Sequence, residues 1–226
     1  MTNAIVHKSG EFLKSVLANE SEFITYFDYF EKVESEILEK LSNSNKMVVW
    51  INIYNALMQI ELKRMHSNKV DKSIFSKPIF FIAGQNLSLD IIEHGILRKN
   101  KLKQAFGFLP GFYVNSITKK WMCDKLDARI HFLLNCGAAS CPVINVLTLK
   151  NLENQLQDAQ SDFIETETKV DPKNKRIIVS QLFLFYRKDF GGKAKVGNLI
   201  RQYFPFSDYK LVYKKWDWSI QLLKIK

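Results

Sequence analysis

Apolar positions set the first expectations about this chain. Phe23, Tyr26, Phe27, Phe30, Val33, Ile37, Leu38 and Leu41 recur at steps of three and four, the spacing of one amphipathic helix within residues 11–41. The Asn43-Ser44-Asn45 cluster reads as its end. From Met47 to His66 the pattern changes: the segment is apolar on most of its surface, which predicts a central, buried helix. Ile79 to Ala83 is a short apolar run between Pro78 and Gly84 and reads as a strand. Ser88 is placed to cap a helix over 89–98. The stretch 106–116 is aromatic, contains glycine and lacks a period, as a packed loop would. Ile130 to Leu134 reads as a strand leading into a turn at 136–142.

Thr148 is placed to cap the clearest helix, in which Leu149, Leu152, Leu156, Ala159 and Phe163 alternate steps of three and four. Residues 169–170 and 176–180, joined across Asp171-Pro172-Lys173-Asn174-Lys175, predict a hairpin. Leu182 to Tyr186 and Val196 to Phe204 look helical, and 211–213 and 216–223 look like closing strands. Trp216-Asp217-Trp218 alternates as a strand with one packed face does. Helices and strands mix without a βαβ rhythm, which predicts an α+β fold: one domain with an antiparallel sheet, flanked by helices, and a central buried helix. No repeat or low-complexity linker divides the chain. Residues 1–45 read as a helical N-terminal extension packed on a domain of 46–226.

Composition changes this picture little. With 46% hydrophobic residues and 17 Phe in 226, the chain has ample material for an aromatic core. The net charge of +10 raises nucleic acid as a partner, but the excess is mostly Lys spread along the chain rather than clustered Arg, so no nucleic acid is expected. No run approaches the ~18 apolar residues of a membrane span. The N-terminus lacks a secretory layout, and three cysteines leave at least one unpaired within the chain. Together these favour a reducing cytoplasm, unless a signal peptide has already been lost.

The candidate chemistry lies in Asn135-Cys136-Gly137-Ala138-Ala139-Ser140-Cys141-Pro142. If Pro142 opens a helix, Cys141 sits where backbone N–H groups and the helix dipole favour a thiolate nucleophile. Three other readings stand beside this one: two small buried residues, a Cys136–Cys141 disulfide, or half a zinc site completed by His94 and His131. No second cluster with ligand spacing follows, so no metal and no cofactor are expected. On a straight strand His131 would lie about 16 Å from Cys136. His94 comes from another element and has Glu93 and Asp90 near it to orient an imidazole, so it is the favoured base, with His131 the next candidate. Asn52, Asn55 and Gln59 share one face of the central helix, as a ligand-lining wall or a structural ladder. A pocket lined by Cys136 or Cys141, His94 and Asn52 or Asn55 follows from this arrangement.

Four ordered motifs, Trp50-Ile51-Asn52-Ile53-Tyr54-Asn55-Ala56, Ser88 to Arg98, Arg129 to Pro142, and Tyr186 with Asp189-Phe190-Gly191 and Trp216-Asp217-Trp218-Ser219, resemble the family catalogued as domain of unknown function 547. The resemblance spans about residues 47–222, with Ala128 standing where the family usually carries proline. It marks Asn52, Tyr54, Asn55, Glu93, His94, Arg129, His131, Cys136 and Cys141 as motif positions and names no reaction. A local likeness to the nucleophile segment of papain-like thiol enzymes, in permuted order, accompanies it. The expected function is a cysteine-dependent hydrolase or transferase on an amide or thiol-containing small molecule or peptide. Cys141 or Cys136 would attack, with His94 or His131 as base, Glu93 orienting, and Asn52, Asn55 and Arg129 toward substrate. The alternative is a non-catalytic binding or scaffold module whose Cys and Asn motifs are structural. Neither reading fixes an oligomeric state.

Overall fold

The computed structural model of the chain describes residues 2–103 and 105–221, the side chain of Ala105 excepted. It is a single α+β domain with small sheets. The N-terminal third is helical: α1 (Thr2–Leu17), α2 (Thr25–Glu31) and α3 (Ser35–Glu39) precede the long α4 (Asn43–Arg64). The apolar period over 23–41 is therefore split. A 3₁₀ turn (Ser21–Ile24), α2 and α3 replace one continuous helix, and Phe30, Val33, Leu38 and Leu41 still reach the core. Helix α1 packs on α4 and buries Ile5, Phe12, Leu13 and Val16 in the same core, so the extension is not a separate body.

Helix α4 is central, as its all-round apolar surface requires: every residue from Asn45 to Ile60 is buried. The Asn43-Ser44-Asn45 cluster forms its first turn rather than ending the helix before it. Ser42 is the cap, its Oγ accepting the Asn45 N–H at 3.2 Å. Trp50 stacks on Trp121 at 6.1 Å between centroids, and both are fully buried.

Strands β1 (Phe80–Ile82) and β2 (Gln85–Leu87) form a hairpin that pairs Phe80 with Leu87. Ala83 and Gly84 at its turn have φ of 49° and 76°, the left-handed pair that a tight two-residue hairpin needs. A 3₁₀ turn (Leu149–Asn151) leads into α5 (Leu152–Glu167), where Leu152, Leu156, Ala159 and Phe163 face the core. Thr148 makes no side-chain cap; its N–H donates to Gln155 at 3.0 Å. In the second sheet β3 (Lys169–Asp171) and β4 (Arg176–Ser180) run antiparallel, and β5 (Lys210–Lys214) joins β4 in parallel. That parallel edge needs a crossover, which α6 (Leu182–Phe185) and α7 (Lys193–Tyr203) supply.

Three local expectations are corrected. Residues 130–134 form no strand: Ala128–Phe132 is a 3₁₀ helix opened by Asp127, whose carboxylate accepts the Arg129 N–H. Trp216 and Trp218 lie in extended chain outside β5, and only isolated bridges, at Ser219 and Ile220, follow them. Leu222 and Leu223 fall outside the described residues. The 106–116 stretch is packed only on its inner side, where Gly107 and Gly111 are buried and Tyr113 meets the His94 ring, while Phe112 is 94% exposed.

Candidate functional site

The site forms where three irregular segments meet α4. Ser88 opens the first, accepting the Ile91 N–H at 3.2 Å, and the chain then takes a π-helical course over Ile91–Leu97. The widened turn is visible in the Arg98 N–H, which donates to the Glu93 carbonyl five residues back at 2.8 Å. Gly95 permits this course beside the following loop, since a Cβ there would sit 2.8 Å from Val114. The turn buries Glu93, His94 and Arg98 together. The second segment is the 3₁₀ helix carrying His131 and the cysteine turn after it, and the third is Tyr186 to Phe190.

These segments share a polar network. The buried Asp189 carboxylate receives Arg98 Nε at 2.6 Å, Lys101 Nζ at 2.8 Å and His131 Nε2 at 2.9 Å. Burial would raise Asp189, but the His131 hydrogen bond and the Arg98 charge hold it well below the ordinary carboxylate range. An ionised carboxylate only accepts, so His131 carries its proton on Nε2 and presents Nδ1 as the acceptor. The ring stacks on Tyr186 at 3.7 Å, and burial keeps it neutral by pushing its pKa down.

His94 is set differently. Arg98, which can only donate, points Nη1 at its Nδ1 from 2.8 Å, so the His94 proton resides on Nε2, 3.5 Å from Asp90. Burial, against the pull of Glu93 and with the push of Arg98 and Lys103, lowers its pKa to about 3. His94 is thus a neutral donor whose Nδ1 is already occupied by Arg98, whereas His131 keeps Nδ1 as its acceptor. Glu93 accepts hydroxyls from Tyr54 at 3.1 Å and Tyr186 at 2.7 Å. Burial opposes its ionisation, yet His94, Arg98 and the Tyr186 hydroxyl together bring its pKa to about 2. It fixes the two tyrosines and lies 3.4 Å from His94 Nδ1.

Cys136 and Cys141 are joined in a disulfide. The Cys136 N–H also donates to Cys141 Sγ at 3.1 Å. No helix begins at Cys141 or Pro142; the next starts beyond Thr148, so the helix-dipole activation expected of this cysteine is absent. The turn is instead closed by Asn135, which accepts the Gly137 N–H at 2.7 Å and donates to the Pro142 carbonyl at 2.7 Å. Gly137 is required here: its φ is 78°, and a Cβ would run into Leu62. The third cysteine, Cys123, is buried, and burial pushes its thiol up to about 12.

One cavity of about 150 Å³ is bounded by Cys136, Cys141, His131, His94 and Glu93, with Tyr54 and Tyr186 in its wall. The cysteines and His94 of the expected pocket do border one cavity, while its expected asparagine wall does not. Its outer wall is aromatic and basic: Lys72 lies 4.1 Å over the Trp218 ring, and Trp216 and Phe185 stand beside it. Asn52, Asn55 and Arg129 are not part of it. Asn52 exchanges hydrogen bonds with the Leu147 backbone at 3.0 and 2.9 Å, and Asn55 bridges the Leu133 carbonyl and the Asn135 N–H, both at 2.9 Å. Arg129 is committed to Asp127 and Glu153. The asparagines pin irregular chain to α4. Asn55→Ala, which strips two buried backbone groups of their partners, is expected to cost about 2–4 kcal/mol in urea unfolding and to disorder the cysteine turn.

Asp189, Arg98 and the tryptophan wall were not singled out as site residues from the sequence. The Asp189-Phe190-Gly191 motif was the available signal for Asp189. Among the described residues, no group of histidine, cysteine and carboxylate side chains is arranged to hold a metal. No helix among them is long and apolar enough to cross a membrane.

A small α+β domain with a cavity bordered by a disulfide and by a histidine that a buried aspartate holds from behind is the class that fold and site define. The family described as Protein of unknown function, DUF547, matches residues 38–164, and the chain belongs to it. No curated protein and no solved structure matches it.

Proposed function

We propose that the protein is a cysteine-dependent hydrolase or transferase acting on an acyl group of a small molecule or peptide, and that the disulfide is its resting, oxidised form. The observation that carries this reading is Asp189 holding His131 Nε2 at 2.9 Å while His131 and both cysteines border the same cavity. This is the base-and-orienter pair of a nucleophilic site, supplied by residues far apart in sequence. Two equivalents of an external thiol, or one dithiol, first reduce the disulfide through a mixed disulfide, leave as their own disulfide, and free two protein thiols. Cys141 is the better nucleophile because the Cys136 N–H that reaches its sulfur stabilises a thiolate. Its proton passes to His131 Nδ1, the thiolate attacks the acyl carbon, and the leaving amine or thiol takes the proton back. Water or a second acceptor then releases the acyl group.

The test is iodoacetamide labelling against pH, before and after reduction. Labelling of Cys141 is expected only after reduction, with an apparent pKa below the ~8.5 of a free thiol, and His131→Ala is expected to slow it roughly tenfold. If reduced Cys141 reacts no faster than a free thiol, the catalytic reading fails. The satisfied Asn52 and Asn55 rungs favour the second reading, a binding module with a structural turn. In that case Cys141→Ala lowers the melting temperature and no reactive thiol appears.

A further inference from the structure

The loop between the π-helix and Trp121 exposes apolar side chains that a folded domain would ordinarily bury. Phe106, Phe108, Leu109 and Phe112 are 44%, 55%, 54% and 94% exposed. Their outward display is built in. The legs of the loop are tied together by the Leu102 N–H to Leu109 carbonyl bond at 2.9 Å and by Asn100 Nδ2 to the Gly111 carbonyl at 2.7 Å. Its inner side rests on the polar network: a Cβ on Gly107 would lie 2.9 Å from both Arg98 Nη2 and Asp189 Oδ1. With the inner side occupied by charge, the aromatic side chains are left facing out.

The surroundings are cationic. From His94 to Cys123 the sequence has no Asp or Glu, and although Lys101, Lys103 and Lys120 of that span pair with Asp189, Asp90 and Glu39, the cations nearest the apolar tip come from 187–188. Arg187 stands 5.6 Å from the Phe106 ring and Lys188 5.4 Å from that of Phe108, so cations border the apolar tip without covering it. We propose that this loop seats the protein on an anionic lipid surface, the phenylalanines and Leu109 entering the acyl boundary and Arg187 and Lys188 meeting headgroups. An apolar tip ringed by Lys and Arg is what such an interface selects. A second copy of this chain is a poorer occupant, because two molecules of net charge +10 would bring like-charged rims together.

Co-sedimentation with phosphatidylcholine vesicles, with and without phosphatidylglycerol, tests this on the full chain. Binding is expected only with the anionic lipid, weakening as salt is raised. Phe112→Ser, at a side chain that supports nothing beneath it, is expected to weaken binding roughly tenfold with no change in melting temperature, and Lys188→Glu to weaken it further. Three results would overturn the proposal. One is equal sedimentation with and without phosphatidylglycerol, and another is unchanged binding by a Phe108→Ser, Phe112→Ser double variant. The third is a dimer in light scattering that Phe112→Ser dissolves while vesicles remain unbound.

Discussion

Asp189→Ala is expected to destabilise the fold by about 3–5 kcal/mol, the cost of removing one partner of a buried ion pair. The reason lies in what remains. Arg98 is fully buried and would keep its charge, losing the carboxylate it holds at 2.6 Å. Lys101 would lose its partner as well, and His131 the acceptor that fixes its tautomer. Burial forbids Arg98 from recovering those interactions in water, and its pKa is too high for it to discharge. Asp189→Asn keeps the shape and an acceptor oxygen, so its cost should be clearly smaller. It removes the charge that fixes the His131 tautomer, so it should slow labelling of the reduced Cys141. Urea unfolding of both variants measures this. A loss below about 1 kcal/mol for the alanine variant would mean that the network is wetter and looser than its geometry indicates.

That network shows why the site was only partly legible in the sequence. The cysteine turn, Glu93 and His94 are contiguous motifs, but His131 joins them in one cavity only because Ala128–Phe132 takes a 3₁₀ course in place of a strand. Which histidine has a usable base nitrogen does not follow from any local pattern. It depends on Arg98 occupying His94 Nδ1 and on Asp189, 58 residues beyond His131, taking Nε2. The strand expected over 130–134 failed for a related reason. Ile-His-Phe-Leu-Leu is a short apolar run, and such runs carry no period that separates a strand from a buried turn of helix. Asn55, reaching the Leu133 carbonyl and the Asn135 N–H from α4, supplies the hydrogen bonds a sheet would otherwise have given.

Elsewhere legibility followed length. Helix α4 was readable because sixteen successive buried positions, Asn45 to Ile60, leave an unmistakable all-round apolar signature. The hairpin of β3 and β4 was readable from its turn residues, whereas the parallel pairing of β5 with β4 depends on a crossover and leaves no local trace. The loop at 106–112 was misjudged because aromatic residues are ordinarily core. Composition cannot distinguish a phenylalanine that packs from one that projects.

The second large effect is on acid stability, and its sign comes from the same burial. His94 has a folded pKa of about 3 against about 6.5 in the unfolded chain, and His131 is also lowered. Below pH about 6.5 the unfolded chain therefore binds protons that the folded chain refuses, and stability falls as pH falls. The contribution of each histidine is present in full above its unfolded pKa and is lost on the way down to its folded one. Glu93 and Asp189, both lowered, act in the same direction, but only below the ordinary carboxylate range. The decline should thus begin near pH 6.5, about two units above where carboxylates alone would start it. Its slope should be about 1.4 kcal/mol per pH unit for the proton excluded at His94 alone, and steeper as His131 adds to it. Urea unfolding in steps from pH 7.5 to 4.5 reads this directly. His94→Gln, which still offers Arg98 an acceptor oxygen, should flatten the slope by about one proton. A stability that stays level between pH 7 and 5 would mean that both imidazoles charge freely in the folded protein. Neither the closed network around Asp189 nor a neutral His131 facing the cysteines would then survive.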